Sequence, residues 1–319
     1  MQAEDKGTVP NATGLHLIRW RGESTVGLPG SGATASCLLL LFLWISLAGV
    51  ARGQEKPYFV TYDHHLEEPG NLEIAFNPVA GFPGGPPGYL AVNTEFEYGA
   101  KAWWTTEFYL DAQHTSGDSS LFNGFRWENR FRPLMREHWI NPVLYVEFEN
   151  LNGAEKSLKE VVGFDGKADL LDPNGVARRE KNRELDLKLI LSSQIRGWNI
   201  SENFISEKNL AGEPWEFGYA VGASRPLALM ASARECRFCR ENFRAGMEFY
   251  GGLGTAQAFT LRGTSHYLAP VLAWDVSNGT TLRISPGWGL TAASQRFLLR
   301  FGVSYEVAGF GRAVRRLFR

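Results

Sequence analysis

The sequence predicts an all-β chain: an antiparallel up-and-down transmembrane β-barrel of about 12 strands, with a soluble β-sandwich as the alternative. Three observations carry this reading. Apolar and polar residues alternate with period two along segment after segment. Several segments hold about 9–11 alternating residues, the length a tilted membrane strand requires, against about 5–6 in a sandwich strand. Trp and Tyr gather near segment ends, at Tyr89, Trp103, Trp104, Trp139, Trp215, Tyr219, Tyr250, Tyr267, Trp288 and Tyr305, as interfacial girdles do.

Composition narrows the class further. The 319 residues carry 33 basic and 34 acidic side chains, and a formal charge of -1 excludes a general nucleic-acid binder. Three cysteines exclude a disulfide-stapled scaffold, and 35 glycines with 13% aromatics suit a turn-rich β protein.

At the front, residues 37–50 read CLLLLFLWISLAGV, an uncharged run too short to span a bilayer as a helix. It fits the apolar region of a signal peptide, and small residues at Ala51 and Gly53 precede a cleavage point at Gln54. Residues 1–53 are therefore expected to be a signal peptide with a mis-assigned N-terminal extension, and 54–319 a single exported barrel domain.

The strands follow in order. Leu72, Ile74 and Phe76 share one face, with Glu73 and Asn77 on the other; Leu90, Val92, Phe96 and Tyr98 oppose Asn93, Glu95 and Glu97. Trp104, Phe108 and Leu110 oppose Thr105, Glu107 and Asp111; Phe125, Trp127 and Phe131 oppose Arg126, Glu128 and Arg130. Leu144, Val146 and Phe148 oppose Tyr145, Glu147 and Glu149. Leu185, Leu187 and Leu189 oppose Asp186 and Lys188; Met247 and Phe249 oppose Glu248; Phe297, Leu299 and Phe301 oppose Arg300. Weaker candidates lie at 58–66, 198–207, 214–224, 265–275 and 280–288. Residues 154–162 (AEKSLKEVV) suggest a short helix within the longest connection, 151–182.

The exported precursor, the girdled strands and the aromatic segment FLLRFGVSYEV (Phe297–Val307) resemble Gram-negative outer-membrane β-barrel proteins. The stretch YGGLG at 250–254 is similar to putative channel families grouped with a phenol-degradation pathway. The resemblance implies a porin-like channel in the outer membrane, with membrane lipid, small solutes and the barrel-assembly machinery as partners and with no cofactor. The chain departs from that pattern at its end. Such barrels commonly finish on an aromatic residue, whereas here residues 308–319 follow, ending RRLFR, which leaves either the assembly signal or the register of the last strand open.

In a barrel the charged faces line the lumen, and Glu95, Glu97, Glu107, Arg126, Arg130, Glu147 and Glu149 are its candidate lining residues. They read either as a polar pathway with a mild cation preference, gated by 151–182, or as a paired network that plugs a small barrel. Asp63-His64-His65 does not read as a metal site, because neighbouring residues on a strand point to opposite faces; it is placed at the rim. Cys236 and Cys239 form a candidate local disulfide in an exported loop. No GxSxG elbow or metal motif appears, so no catalytic residue is assigned. An exported sandwich that binds carbohydrate or protein is the second functional reading. A barrel hydrolase is the third, and it requires a Ser, a His and an acid to converge in space.

Overall fold

The computed structural model describes residues 57–230, 236–276 and 278–318; the proposed signal segment, 1–53, lies outside the described residues. Twelve long strands run in chain order. They are β1 (Leu72–Phe82), β2 (Tyr89–Lys101), β3 (Trp104–Thr115), β4 (Ser120–Phe131), β5 (Asn141–Asn152) and β6 (Lys181–Ile195). After these come β7 (Trp198–Asn209), β8 (Glu216–Pro226), β9 (Phe243–Thr255), β10 (His266–Val276), β11 (Thr280–Gly289) and β12 (Phe297–Val307). Each pairs antiparallel with the next, and β12 returns to β1, so the sheet is a closed barrel. A two-residue strand, Ala258–Phe259, folds back on the end of β9.

The register of the last strand is unambiguous. Leu72 lies opposite Val307 and Phe82 opposite Phe297, and a short helix, α2 (Phe310–Leu317), follows without disturbing the ladder. Closure leaves no open edge, so the strands satisfy one another's backbone groups without water, as a membrane wall must.

Side-chain parity then decides which way the faces point. On β2, Ala91, Asn93, Glu95 and Glu97 are buried while Leu90 is 45% exposed. The same alternation leaves Phe76, Phe108, Trp127, Leu144, Phe204 and Phe301 exposed on the outer wall. In a sandwich those rows would form the core. Here they face outward around a polar interior, so the sandwich alternative is excluded. Aromatics ring the two ends: Trp103, Trp104 and Phe131 stack at one, and Phe82, Trp288 and Phe297 cluster at the other.

One irregularity keeps the inner row of β4 polar. The register slips between Asp111 and Ala112, leaving Asn123 as an extra residue that turns inward to donate to the Gln113 side chain, 3.0 Å away. Gly124 carries the bulge at φ +150, and a Cβ there would meet the Asn150 carbonyl oxygen at 2.0 Å. Glycine is required at this position.

Two expected elements form differently. Residues 58–66, expected as a strand, bend at 59–60 and at 64 and pair with no strand; they lie inside the barrel before β1, bonded by side chains of β7, β9 and β11. Residues 154–162, expected as a helix, form an irregular strap that turns at Leu158, left-handed at φ 49, with Val162 and Gly163 bridging Gly218 and Gly254. Only a single turn of helix, α1 (Asn174–Ala177), and one 3-10 turn occur in the connection between β5 and β6.

Candidate functional site

The lumen is the candidate site. All seven candidate lining residues, Glu95, Glu97, Glu107, Arg126, Arg130, Glu147 and Glu149, point into it and are buried, because they share the inward parity of β2 to β5. They line no open path. Two segments fill the space between them.

The first is the N-terminal segment, residues 57–69. Glu248 on β9 accepts backbone N–H groups from Phe59 (3.2 Å), Val60 (2.8 Å) and Thr61 (2.7 Å). Asn203 on β7 clamps Tyr62 from both sides, accepting its N–H at 2.6 Å and donating to its carbonyl at 2.8 Å. Arg283 on β11 donates to the Tyr58 carbonyl at 3.2 Å. Side chains of the wall thus supply the bonds that a neighbouring strand would supply in a sheet.

The second is the strap, 153–164. Lys159 reaches Glu128 (2.9 Å) and Glu147 (3.0 Å) and lies 3.7 Å from the centre of the Tyr109 ring. Glu160 accepts from Lys188 (2.7 Å) and Arg126 (2.9 Å). Arg300 donates to the carbonyls of Ser157 and Leu158. The two segments meet at Glu128, whose Oε2 accepts from Tyr62 (3.0 Å), Tyr109 (2.8 Å) and Lys159. A cavity of about 50 Å³ remains beside this junction, bordered by Tyr58, Asn77, Glu95, Lys159, Arg283 and Arg300. That is room for a few waters at most.

Ion pairing is dense around the strap. Arg126 faces Asp111, Glu149, Glu155 and Glu160, and Arg130 faces Glu97, Glu107 and Glu128. Neither carboxylate oxygen of Asp186 has a hydrogen-bond partner, and Lys188 Nζ lies 3.9 Å away. Among the described lumen side chains, carboxyl groups outnumber the basic ones, Arg126, Arg130, Lys156, Lys159, Lys188, Arg283 and Arg300.

Asp63 and His64 are buried at the end of the barrel near the β4–β5 connection, and His65 beside them is partly exposed. His64 joins Ser192 Oγ (Nδ1, 2.8 Å) to the Glu137 carboxylate (Nε2, 3.0 Å), a serine, a histidine and an acid in line. Ser192 is nonetheless buried and also bonded to Asn199 and Ser201. The histidine rides on the segment that covers the serine, so exposing the nucleophile would remove its base. The arrangement anchors the segment.

Burial holds His64 below the ordinary histidine pKa, whereas the Asp63 carboxylate beside His65 raises His65 above it. Burial opposes ionisation of Asp63, but His65 and His64 outweigh it and keep that carboxyl well below the usual range. The signs give a window. The His65 contribution is complete below about pH 6.5 and is lost as pH rises through its raised value; the His64 contribution is lost as pH falls below about 6.5. Amides of residues 58–65 are therefore expected to exchange most slowly near pH 6.5, once corrected for intrinsic rates. His65→Ala should remove the alkaline limb and His64→Ala the acid limb, and a flat profile in the unsubstituted protein would refute the assignment.

Sequence reasoning missed both lumen segments. A signal was present in three inward glycines. A Cβ on Gly218 would meet the Val161 carbonyl oxygen at 2.4 Å, one on Gly252 the Gly163 carbonyl oxygen at 2.4 Å, and one on Gly222 the Tyr58 ring at 2.8 Å. Small residues on the inner row of β8 and β9 mark where backbone lies against the wall. Cys236 and Cys239 lie in the loop between β8 and β9, joined by a disulfide, and Phe238 between them stacks on Trp274 at 4.8 Å.

No family model matches the chain, and no curated protein does. Solved structures match in fold. An outer-membrane channel from Pseudomonas putida F1 is 9% identical with a TM-score of 0.51, covering 81% of this chain and 100% of its own. KdgM porin is 8% identical at TM-score 0.45, covering 73% and 98%. The translocator domain of the autotransporter NalP from Neisseria meningitidis is 11% identical at TM-score 0.40, covering 86% and 97%. A closed sheet, an exposed apolar wall between aromatic clusters and a charged interior make the described residues a twelve-stranded antiparallel β-barrel of membrane-spanning design, the fold they share with the outer-membrane channel from Pseudomonas putida F1.

Proposed function

We propose that the protein is a gated channel for small solutes with a preference for cations, seen here in its closed state. One observation carries this reading. The two segments that fill the lumen are held almost entirely by side chains of the wall, and apart from the bridges at Gly218 and Gly254 neither is woven into the sheet. Either segment can leave while all twelve wall pairings persist. What it leaves behind is a passage lined by Glu95, Glu97, Glu107, Glu147 and Glu149, with Arg126 and Arg130 among them. The acidic excess lowers the energy of a cation in that passage and raises that of an anion. The gate differs from an expectation of an outer loop alone: the strap closes from one side, and the N-terminal segment lies against it.

Conductance in a planar bilayer tests this. Lys159→Ser with Glu160→Ser removes the strap's ion pairs and is expected to raise the open fraction about tenfold or more over the unsubstituted barrel. In that background, Glu95→Gln with Glu147→Gln should move the reversal potential in a salt gradient toward that of an unselective pore. A folded barrel that stays silent in both forms would refute the channel reading. An open barrel with unchanged selectivity would refute the role of these glutamates.

A further inference from the structure

The C-terminal residues beyond β12 form a surface that the channel reading does not use. After Gly309, in the left-handed conformation at φ 69, α2 turns away from the barrel mouth. The turn is fixed at three points. Gly309 N–H donates to the Asn71 side chain at 2.7 Å, Gly311 N–H donates to the Gly70 carbonyl at 2.9 Å, and the Phe310 ring meets the Tyr98 ring edge-on at 6.3 Å. Tyr98 belongs to the outward row of β2, alternating with buried Glu95 and Glu97. The helix is therefore docked on the outside of the wall, at its rim, and not over the lumen.

Spacing makes α2 two-faced. Phe310, Val314, Leu317 and Phe318 fall at i, i+4, i+7 and i+8, one stripe of a helix, while Arg312, Arg315 and Arg316 fall on another. The stripe begins half-buried at Phe310 and Val314 and runs off the protein, with Leu317 82% and Phe318 86% exposed. Among the described residues none of the three arginines has an ion-pair partner, and the helix holds no acidic residue. Beside a lipid-facing wall, an unpartnered apolar stripe and unpaired guanidinium groups have complementary neighbours in one place, the boundary between headgroups and acyl chains.

We propose that α2 is an interfacial anchor that binds anionic phospholipid headgroups around the barrel. Leu317 and Phe318 enter the acyl boundary, and Arg312, Arg315 and Arg316 hold the phosphates by charge-assisted hydrogen bonds.

Trypsin reports this on the intact protein, because its target bonds include those after Arg315 and after the exposed loop residue Arg178. The folded barrel is placed in nanodiscs of phosphatidylcholine, alone or with about one third phosphatidylglycerol. Cleavage after Arg315, taken relative to cleavage after Arg178, is expected to slow about tenfold in the anionic discs and not in the neutral ones. Salt at about 0.5 M should abolish the difference, since it screens headgroup charge. Leu317→Asp with Phe318→Asp should abolish it at low salt, with the heat-dependent gel shift showing that the barrel still forms. Equal relative rates in the two discs, whether fast or slow, overturn the proposal.

Discussion

Glu248→Ala is expected to free the N-terminal segment from the lumen and raise conductance about tenfold or more. This one carboxylate accepts three successive N–H groups, from Phe59, Val60 and Thr61, in the packed interior of the barrel. A hydrogen bond to a charged group contributes about 1.5–3 kcal/mol, and orphaning the donors adds their desolvation cost. A loss of about 3–5 kcal/mol shifts the closed-to-open ratio by a hundredfold or more, since about 1.4 kcal/mol is a factor of ten. Glu248→Gln keeps a carbonyl acceptor and should fall between alanine and the native residue. Hydrogen exchange of residues 58–62 should rise in step with conductance. If exchange rises while conductance does not, the strap alone closes the barrel, and the N-terminal segment has no part in the gate.

The second large effect concerns the barrel itself. Arg126→Met is expected to destabilise the folded protein by about 3–5 kcal/mol, the cost of stranding a buried charge partner. Its guanidinium faces Asp111, Glu149, Glu155 and Glu160, contributed by β3, β5 and the strap, so its removal leaves four acids facing one another. The midpoint of urea unfolding in detergent micelles, followed by the gel shift, measures this. Glu149→Gln added to Arg126→Met should recover part of the loss, because it removes one of the stranded charges. A double variant no more stable than the single one would show that the cost lies in packing rather than in charge.

How far the fold was legible follows from these residues. The outward and inward rows of β2, β5 and β6 were readable because a wall with lipid on one side imposes strict parity, and every second residue reports it. The inward position of Arg126 and Glu149 was readable for the same reason. Their partners were not. Glu160 and Lys159 come from a connection whose sequence, with Lys159 four residues after Glu155, suits a helix. The helix gives way because these side chains pair with neighbouring wall strands, Lys159 with Glu128 of β4 and Glu147 of β5 and Glu160 with Arg126 of β4 and Lys188 of β6, and the backbone turns through Leu158 at φ 49 to place them. Residues 58–66 misled in the opposite direction. Tyr58, Val60 and Tyr62 alternate with Phe59, Thr61 and Asp63 as in a strand, yet the segment bends and is buried on both faces, because side chains such as Glu248 and Asn203 bond its backbone in place of a neighbouring strand. The serine, histidine and acid that meet at His64 show the same limit, since residues 64, 137 and 192 are brought together only by the folded lumen.

The composition of the strap has an electrical consequence. Residues 153–164 carry Glu155 and Lys156, then Lys159 and Glu160, two charges of each sign. A charge carried through a membrane potential does work of about 2.3 kcal/mol per 100 mV, and opposite charges carried together cancel that work. If the strap is the gate proposed above, its withdrawal displaces no net gating charge, and the voltage across the membrane leaves its opening to the chemistry of its ion pairs.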